Sequence, residues 1–373
     1  MKILFTGGGT AGHIFPIIEI VRQIKKINPK GDFQFFYIGP KDDFAKDLLS
    51  KEGIEVKTIF SGKIRRYFSF LNIIDILFKL PIGFLQAFYY VFVISPDIIF
   101  SKGGYGSIPV VITGWMLLTP VFIHESDVAP GLANRIASKV AVEIFTSFPV
   151  EKTLYFPAEK MFYVGNPVRE SLISKVDKEE AKKLLHLTGK RPVIFIIGGS
   201  QGAQKINDTI LVNLSDFLKE FEIIHQTGRR NFEQVQKEAR VVISEKEAKY
   251  YHPFPFLNEK ELSLAYHCAD LIISRGGAGV IFEISAVGKP SIIVPISGSA
   301  QNHQVRNAYA FAENGSAVVI EEENFLPHFL LKKVEYLLSK PALLRKMAKK
   351  AKEFSKPDAG RIIAEYLVAY LTQ

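Results

Sequence analysis

The amino-acid sequence predicts an α/β protein with two doubly wound, mostly parallel sheets. Strand-like runs alternate with helix-length stretches along the chain, the pattern of βαβ units around a parallel sheet. At 373 residues the chain exceeds one ordinary hydrophobic core, and a typical domain of about 150 residues implies two. The glycine turns are also written twice. "MKILFTGGGTAGH" at the start returns as "RPVIFIIGGSQGA" from residue 191, and "DIIFSKGGYG" at 97–106 returns as "DLIISRGGAG" at 270–279.

The predicted strands of the first half are KILFT, FQFFYI, IEVKTIF, DIIFS, PVFIH and VEIFT. Those of the second half are PVIFII, FEIIHQ, DLIIS, SIIVP and SAVVI, with helices over segments such as 203–218 and 301–314. Each strand is a short apolar run rich in β-branched or aromatic residues. In "YVGNPVRESL", residues 163–172, Gly165 and Pro167 punctuate the chain and put a hinge near Asn166. The expected division is a domain over 1–164, a second over 165–355 and a terminal helix over 356–373. That helix has Asp358 as its expected cap and Ile362, Ile363, Tyr366, Leu367 and Tyr370 on one face, suited to packing back on the first domain.

Composition narrows the classes. A chain 47% hydrophobic and 23% charged is globular. A net charge of +9 calls for a polyanionic partner: nucleic acid, a phosphorylated substrate or an anionic membrane. Nucleic acid ranks last, because the chain has no helix-turn-helix cue, zinc ligands or aromatic stacking signature. Cys268 is the single cysteine, so neither a disulfide framework nor a cysteine metal site is expected. The first residues run from a short strand into glycines without a signal-peptide pattern, and the expected compartment is the cytoplasm. The apolar run at 80–95 is interrupted by Pro81, Gly83 and Gln86. It is shorter than the roughly 20 residues of a membrane span.

A glycine turn between strand and helix presents backbone N–H groups at a helix N-terminus and cradles phosphate. Four such turns, two per domain, are expected to face one another across a cleft and grip a phosphorylated ligand. Gly7, Gly9 and Gly12 satisfy the dinucleotide G-x-G-x-x-G. The second strand, however, ends "FYIGPKDD", with Asp42 and Asp43 beyond the place where an acidic residue would hold a ribose. That disfavours a nicotinamide or flavin enzyme.

In order along the chain stand "GGGTAGH" at 7, "SKGGYGSIP" at 101, "HESDVAPGLANR" at 124, "GNPVR" at 165, "GGSQGA" at 198, "HQTGR" at 225, "SRGGAGVIFEI" at 274 and "NHQVRNA" at 302. Over nearly its whole length the chain resembles the MurG family of peptidoglycan glycosyltransferases. These move N-acetylglucosamine from UDP-N-acetylglucosamine to an undecaprenyl-diphosphate-linked muramoyl-pentapeptide. The resemblance implies a GT-B architecture, with the acceptor bound mainly by the first domain and the UDP-sugar by the second. It also implies an inverting reaction that makes a β-1,4 linkage from an α-linked donor. No cofactor is implied, and the chain has no D-x-D through which metal-dependent glycosyltransferases hold Mn²⁺ or Mg²⁺.

On the donor side the resemblance implies that the diphosphate lies near Gly199, Ser200 and Gln201, near Arg169, and against Gly277, Ala278 and Gly279. Glu283 would accept the ribose hydroxyls, His303 and Gln304 would meet the sugar, and the uracil would meet backbone around Phe256 and Leu257. His303 stands where the family often has glutamine. On the acceptor side the residues are Thr10, Ala11, Gly12, Gly104, Tyr105, His124, Glu125 and Asn134. Two residues compete for the general base. His13 follows the first glycine turn, where the helix dipole should lower its pKa. Asp127 sits in "HESD" where the commoner family form is "HEQN", and a carboxylate can take a proton that an amide cannot. Other readings are a GT-B transferase with another lipid acceptor, a UDP-sugar epimerase on the same scaffold, or a non-catalytic UDP-sugar-binding protein.

A lipid-linked acceptor requires a membrane surface. Residues 63–85 set Lys63, Arg65 and Arg66 beside Phe68, Phe70, Leu71, Ile73, Ile74, Leu77 and Phe78. This composition suits docking on an anionic bilayer at the cytoplasmic face.

Overall fold

The computed structural model describes residues 1–8, 11–62, 79–153, 155–199 and 202–372, without the side chains of Ala11 and Ala300. The basic, aromatic part of the expected membrane segment, 63–78, lies outside the described residues, as do Thr10, Ser200 and Gln201. The chain forms two compact units, Met1–Val168 with Pro357–Gln373, and Arg169–Lys356.

In the first unit β1 (Lys2–Thr6), β2 (Gln34–Gly39), β3 (Ile54–Thr58), β4 (Ile98–Ser101), β5 (Val121–Glu125), β6 (Glu143–Thr146) and β7 (Met161–Tyr163) make one sheet. Every pairing is parallel, in the order β3-β2-β1-β4-β5-β6-β7. The second unit repeats the plan with β8 (Val193–Ile197), β9 (Glu222–Gln226), β10 (Tyr251–Phe254), β11 (Leu271–Ser274), β12 (Ser291–Ile293) and β13 (Ala317–Val319). Its order is β10-β9-β8-β11-β12-β13, again parallel throughout.

The order reverses at β1/β4 in one sheet and at β8/β11 in the other. The doubled sequence motifs occupy these four strands. Thr6 pairs with Ser101 and Ile197 with Ser274, so the two glycine turns of each unit leave the sheet side by side. A doubly wound sheet binds ligands in the crevice at that reversal.

The central strands β1, β4, β5, β8, β9, β11 and β12 are buried on both faces, which is why they read as continuous apolar runs rather than alternating ones. The helix Ala11–Ile27 lays Ile14, Ile17, Ile18, Val21 and Ile24 on its sheet. The terminal helix Ala359–Thr372 packs against it, and Ile363, Ala364 and Leu367 complete that core. Each fully buried leucine or isoleucine there contributes about 1.5–3 kcal/mol.

Four expectations need correction. Strands β7 and β10 were not expected. The helix expected over 203–218 is two, Gln204–Val212 and Leu214–Glu220, broken at Asn213. Asp358 spends its carboxylate on Arg361 rather than on a backbone N–H. Ile362 is exposed, and the buried stripe of that helix runs through Ala359, Gly360, Ile363, Ala364 and Leu367. Among the described residues no helix is long and apolar enough to cross a membrane.

Candidate active site

In the first unit the β1 and β4 turns touch through glycine. Gly104 has φ +88°, and a Cβ there would stand 2.6 Å from Gly8 Cα, so only glycine fits. His13 lies in the first turn of its helix, with its ring against Gly8. Its pKa falls to about 4, by burial first and by the Lys102 charge second. The direction matches the expectation. Gly12 is exposed beside it, and Ala11 opens the helix. Tyr105 is half-buried after Gly104, its pKa raised by burial and by the charge of Asp42.

The end of β5 supplies His124 and Glu125, both buried, followed by half-buried Ser126 and Asp127. Asn134 donates through Nδ2 to the His124 carbonyl (3.1 Å) and to Glu125 Oε2 (2.9 Å), while the Asp127 N–H donates to Glu125 Oε1 (2.8 Å). Glu125 is pushed up to about 7, by burial and by the neighbouring Asp127, against its hydrogen bonds and Lys102. Of the expected acceptor-side residues, Gly104, His124, Glu125 and Asn134 therefore lie together at the β4 and β5 ends, with Asn134 and Glu125 bracing the turn that carries Asp127.

Sequence reasoning assigned no role to Lys102, which lies at the centre of this cluster. Its Nζ is 2.7 Å from His124 Nδ1 and 3.3 Å from Asn166 Oδ1, and it also donates to Ser126 Oγ. The available signal was its place in "SKGG", a basic residue between an apolar strand and two glycines.

In the second unit the helix Ala278–Val287 begins directly after the β11 turn. A Cβ on Gly277 or Gly279 would meet nothing within 4 Å, so the helix N-terminus is open to a ligand. Glu283 lies on this helix, held at both oxygens. Arg169 Nη2 donates to Oε1 (2.8 Å) and Tyr266 Oη to Oε2 (2.9 Å). Arg169 is almost fully buried and pairs with Glu283. Tyr266, which sequence reasoning passed over, is fully buried with its pKa well above the ordinary value, through burial and the Glu283 charge.

Gln226, at the end of β9, was also missed. Its Nε2 donates to the Gly199 carbonyl (3.3 Å) and its Oε1 accepts the Leu257 N–H (3.1 Å). It thus ties the β8 turn to the Phe256–Leu257 segment, and Arg229 stacks over the Phe256 ring at 5.2 Å. The Leu257 N–H is therefore already engaged. Gln304 accepts the Ile296 N–H at Oε1 (3.2 Å), and its own N–H donates to Ser299 Oγ (3.3 Å). His303 begins this helix after Gln301 and Asn302, both left-handed with φ +56° and +52°. Two successive residues in that region mark a locally constrained turn.

The two units also match known proteins. Residues 3–146 match the glycosyltransferase family 28 N-terminal domain and residues 193–361 its C-terminal domain. A Bacillus anthracis relative named UDP-N-acetylglucosamine--N-acetylmuramyl-(pentapeptide) pyrophosphoryl-undecaprenol N-acetylglucosamine transferase 2 is 40% identical, over 90% of this chain and 91% of its own. A Clostridium botulinum relative with the same transferase name is 36% identical over 98% of this chain and 99% of its own. Among solved structures, Acinetobacter baumannii MurG superposes with TM-score 0.72 at 24% identity, covering 98% of each chain. A Neisseria meningitidis UDP-GlcNAc 2-epimerase bound to UDP-GlcNAc gives 0.67 at 15% identity, over 99% of this chain and 100% of that one. These two likenesses speak for the fold, and the relatives at 36–40% identity separate the transferase line from the epimerases that share it. The chain belongs to glycosyltransferase family 28, among its MurG members.

Proposed function

We propose that this protein transfers N-acetylglucosamine from UDP-N-acetylglucosamine to the C4 hydroxyl of undecaprenyl-diphosphate-linked N-acetylmuramoyl-pentapeptide, a step of peptidoglycan synthesis. The observation that carries the reading is identity of 36–40%, sustained over 90–98% of the chain, with relatives named for this transfer. The paired glycine turns at each sheet's reversal support it.

In the reaction the acceptor oxygen attacks the sugar C1, the bond from C1 to the UDP oxygen breaks with its electron pair, and the anomeric configuration inverts. A base on the enzyme takes the hydroxyl proton. In the second unit the open helix N-terminus at Gly277–Gly279 faces the charge that develops on the departing diphosphate. Glu283, fixed from both sides, accepts the ribose hydroxyls, and Arg169 acts by holding Glu283. Gln304 offers its amide NH₂ to the sugar. In the first unit the β1 and β4 turns and the β5 end receive the acceptor, with His13 and Asp127 the groups able to take its proton.

The acceptor's lipid sets where the enzyme works. The helix Leu80–Ile94 leaves Leu85 (72% exposed), Phe92 (67%), Tyr89 and Val93 uncovered. It packs against the helix Ile108–Met116, next to exposed Trp115, Met116 and Leu118. An apolar surface of this kind on a basic protein whose substrate stays in a bilayer supports peripheral docking on an anionic membrane, at the cytoplasmic face.

The test is transfer of radiolabelled N-acetylglucosamine to a short-chain analogue of the lipid-linked acceptor in the presence of EDTA. Labelled disaccharide is the expected product. Donor binding without disaccharide on a validated acceptor would reject the acceptor, and activity abolished by EDTA and restored by Mg²⁺ would reject metal-independent catalysis.

A further inference from the structure

The matching strands β4 and β11 are each followed by a buried basic residue and two glycines, the basic residues being Lys102 and Arg275. Their surroundings differ. Arg275 donates to the Val294 carbonyl (3.2 Å) and pairs with Glu322 (2.7 Å), so an anion in contact offsets its charge. Lys102 meets three uncharged acceptors: His124 Nδ1, Ser126 Oγ and Asn166 Oδ1.

The histidine tautomer follows from its other nitrogen. His124 Nε2 lies 2.9 Å from the Gly165 carbonyl, which has no proton to give, so Nε2 carries the hydrogen and Nδ1 is a lone pair facing Lys102. Three acceptors around one amine match the three donors of an ammonium. Burial opposes that charge and brings the lysine down to about 8, while Glu125 and Asp127 favour it. The titratable groups facing Lys102 are His13 from the β1 turn and His124, Glu125 and Asp127 from the β5 end. Asn134 and Asn166, which complete the cluster, are neutral.

Lys102 opposes a proton on either rival base, since each gains a positive charge beside it; burial at His13 and the carboxylate of Glu125 beside Asp127 separate the two. A proton placed on His13 sets a second cation beside the first. A proton placed on Asp127 relieves its repulsion with Glu125 and leaves one cation with one anion.

We infer that Lys102 is a positioning residue for the transfer, whose buried ammonium fixes the His124–Asp127 turn and so places Asp127, rather than His13, to accept the hydroxyl proton. The inference rests on the transferase reading above. The acceptor O–H breaks, its oxygen bonds to C1, UDP leaves with the electron pair and the proton passes to the Asp127 carboxylate.

The experiment measures kcat and KM against pH for the full chain and for Lys102→Met, Lys102→Arg, Asp127→Asn and His13→Asn. Lys102→Met is expected to lower kcat about tenfold or more at nearly constant donor KM, and to move the acid limb to higher pH, because a carboxylate that loses a nearby cation gains basicity. Lys102→Arg keeps the charge and restores the limb. Asp127→Asn loses about a hundredfold in kcat together with the limb, whereas His13→Asn raises acceptor KM and keeps it. An acid limb unmoved in Lys102→Met, or lost in His13→Asn and kept in Asp127→Asn, overturns the inference. Should Lys102→Met fail to fold, the Asp127 and His13 variants, with Lys102 intact, decide it. A wild-type chain that binds donor and transfers nothing sinks the transferase reading, and this inference with it. A wild type that transfers while the Lys102→Met limb stays in place sinks this inference alone.

Discussion

Replacing Tyr266 with phenylalanine removes one oxygen and little else. The ring stays in its edge contact with Phe195, centroids 5.3 Å apart, while the 2.9 Å bond to Glu283 Oε2 disappears. Glu283 then keeps Arg169 at Oε1, 2.8 Å away, and pivots about that tether. A hydrogen bond to a charged group is worth about 1.5–3 kcal/mol net, and part of that loss falls on folding. If Glu283 accepts the ribose hydroxyls, its looser placement costs donor binding about 1 kcal/mol, roughly fivefold in Kd. Calorimetric titration with UDP and with 2′-deoxy-UDP separates the two effects. UDP affinity is expected to fall in Tyr266→Phe, while 2′-deoxy-UDP, lacking one of the hydroxyls, changes less. Urea unfolding of the same samples measures the stability share. Equal weakening of both nucleotides, or an unchanged UDP affinity in a folded variant, would refute the assignment of Glu283 to the ribose.

Two further outcomes follow from particular residues. Leu85→Ser with Phe92→Ser changes side chains already exposed, so folding stability stays within about 0.5 kcal/mol. Flotation with anionic vesicles is expected to drop roughly tenfold or more, and unchanged flotation would remove this helix from the membrane surface. His13 has its folded pKa lowered from 6.5 to about 4, so the unfolded chain binds the extra proton first. Its contribution is present above pH 6.5 and is lost as pH falls toward 4, up to ~3 kcal/mol and less for a ring that solvent partly reaches. Because His124 and His225 are shifted the same way, the measurement is the difference between wild type and His13→Asn in chemical denaturation across that range. A difference that stays constant with pH would contradict the shift.

The doubled motifs made the two sheets legible, because a strand buried on both faces and followed by glycine announces itself locally. The edge strands did not. Met161–Tyr163 is only three residues long, and Tyr251–Phe254 contains Pro253, tolerated because β10 is an edge strand. Glu283, His13 and Asn134 were readable as members of motifs. Tyr266, Gln226 and Lys102 were not readable as participants, since their roles depend on partners remote in sequence. Lys102 needs His124 and Asn166, and the Arg169–Glu283 pair joins residues 114 apart. Motif spelling records which residue types occur together along the chain, whereas tautomers and shared protons depend on which strands come to lie side by side.

The terminal helix carries a consequence for the order of synthesis. The chain leaves the first unit after Val168 and re-enters it at Pro357, and Ile363, Ala364 and Leu367 belong to the first core. Arg169–Lys356 is contiguous and can finish folding as it emerges from the ribosome. The first unit, although begun earlier, completes its core only when Ile363, Ala364 and Leu367 appear. A nascent chain stalled before Pro357 would present a finished second unit and an open first one, so the unit begun first is the one that matures later.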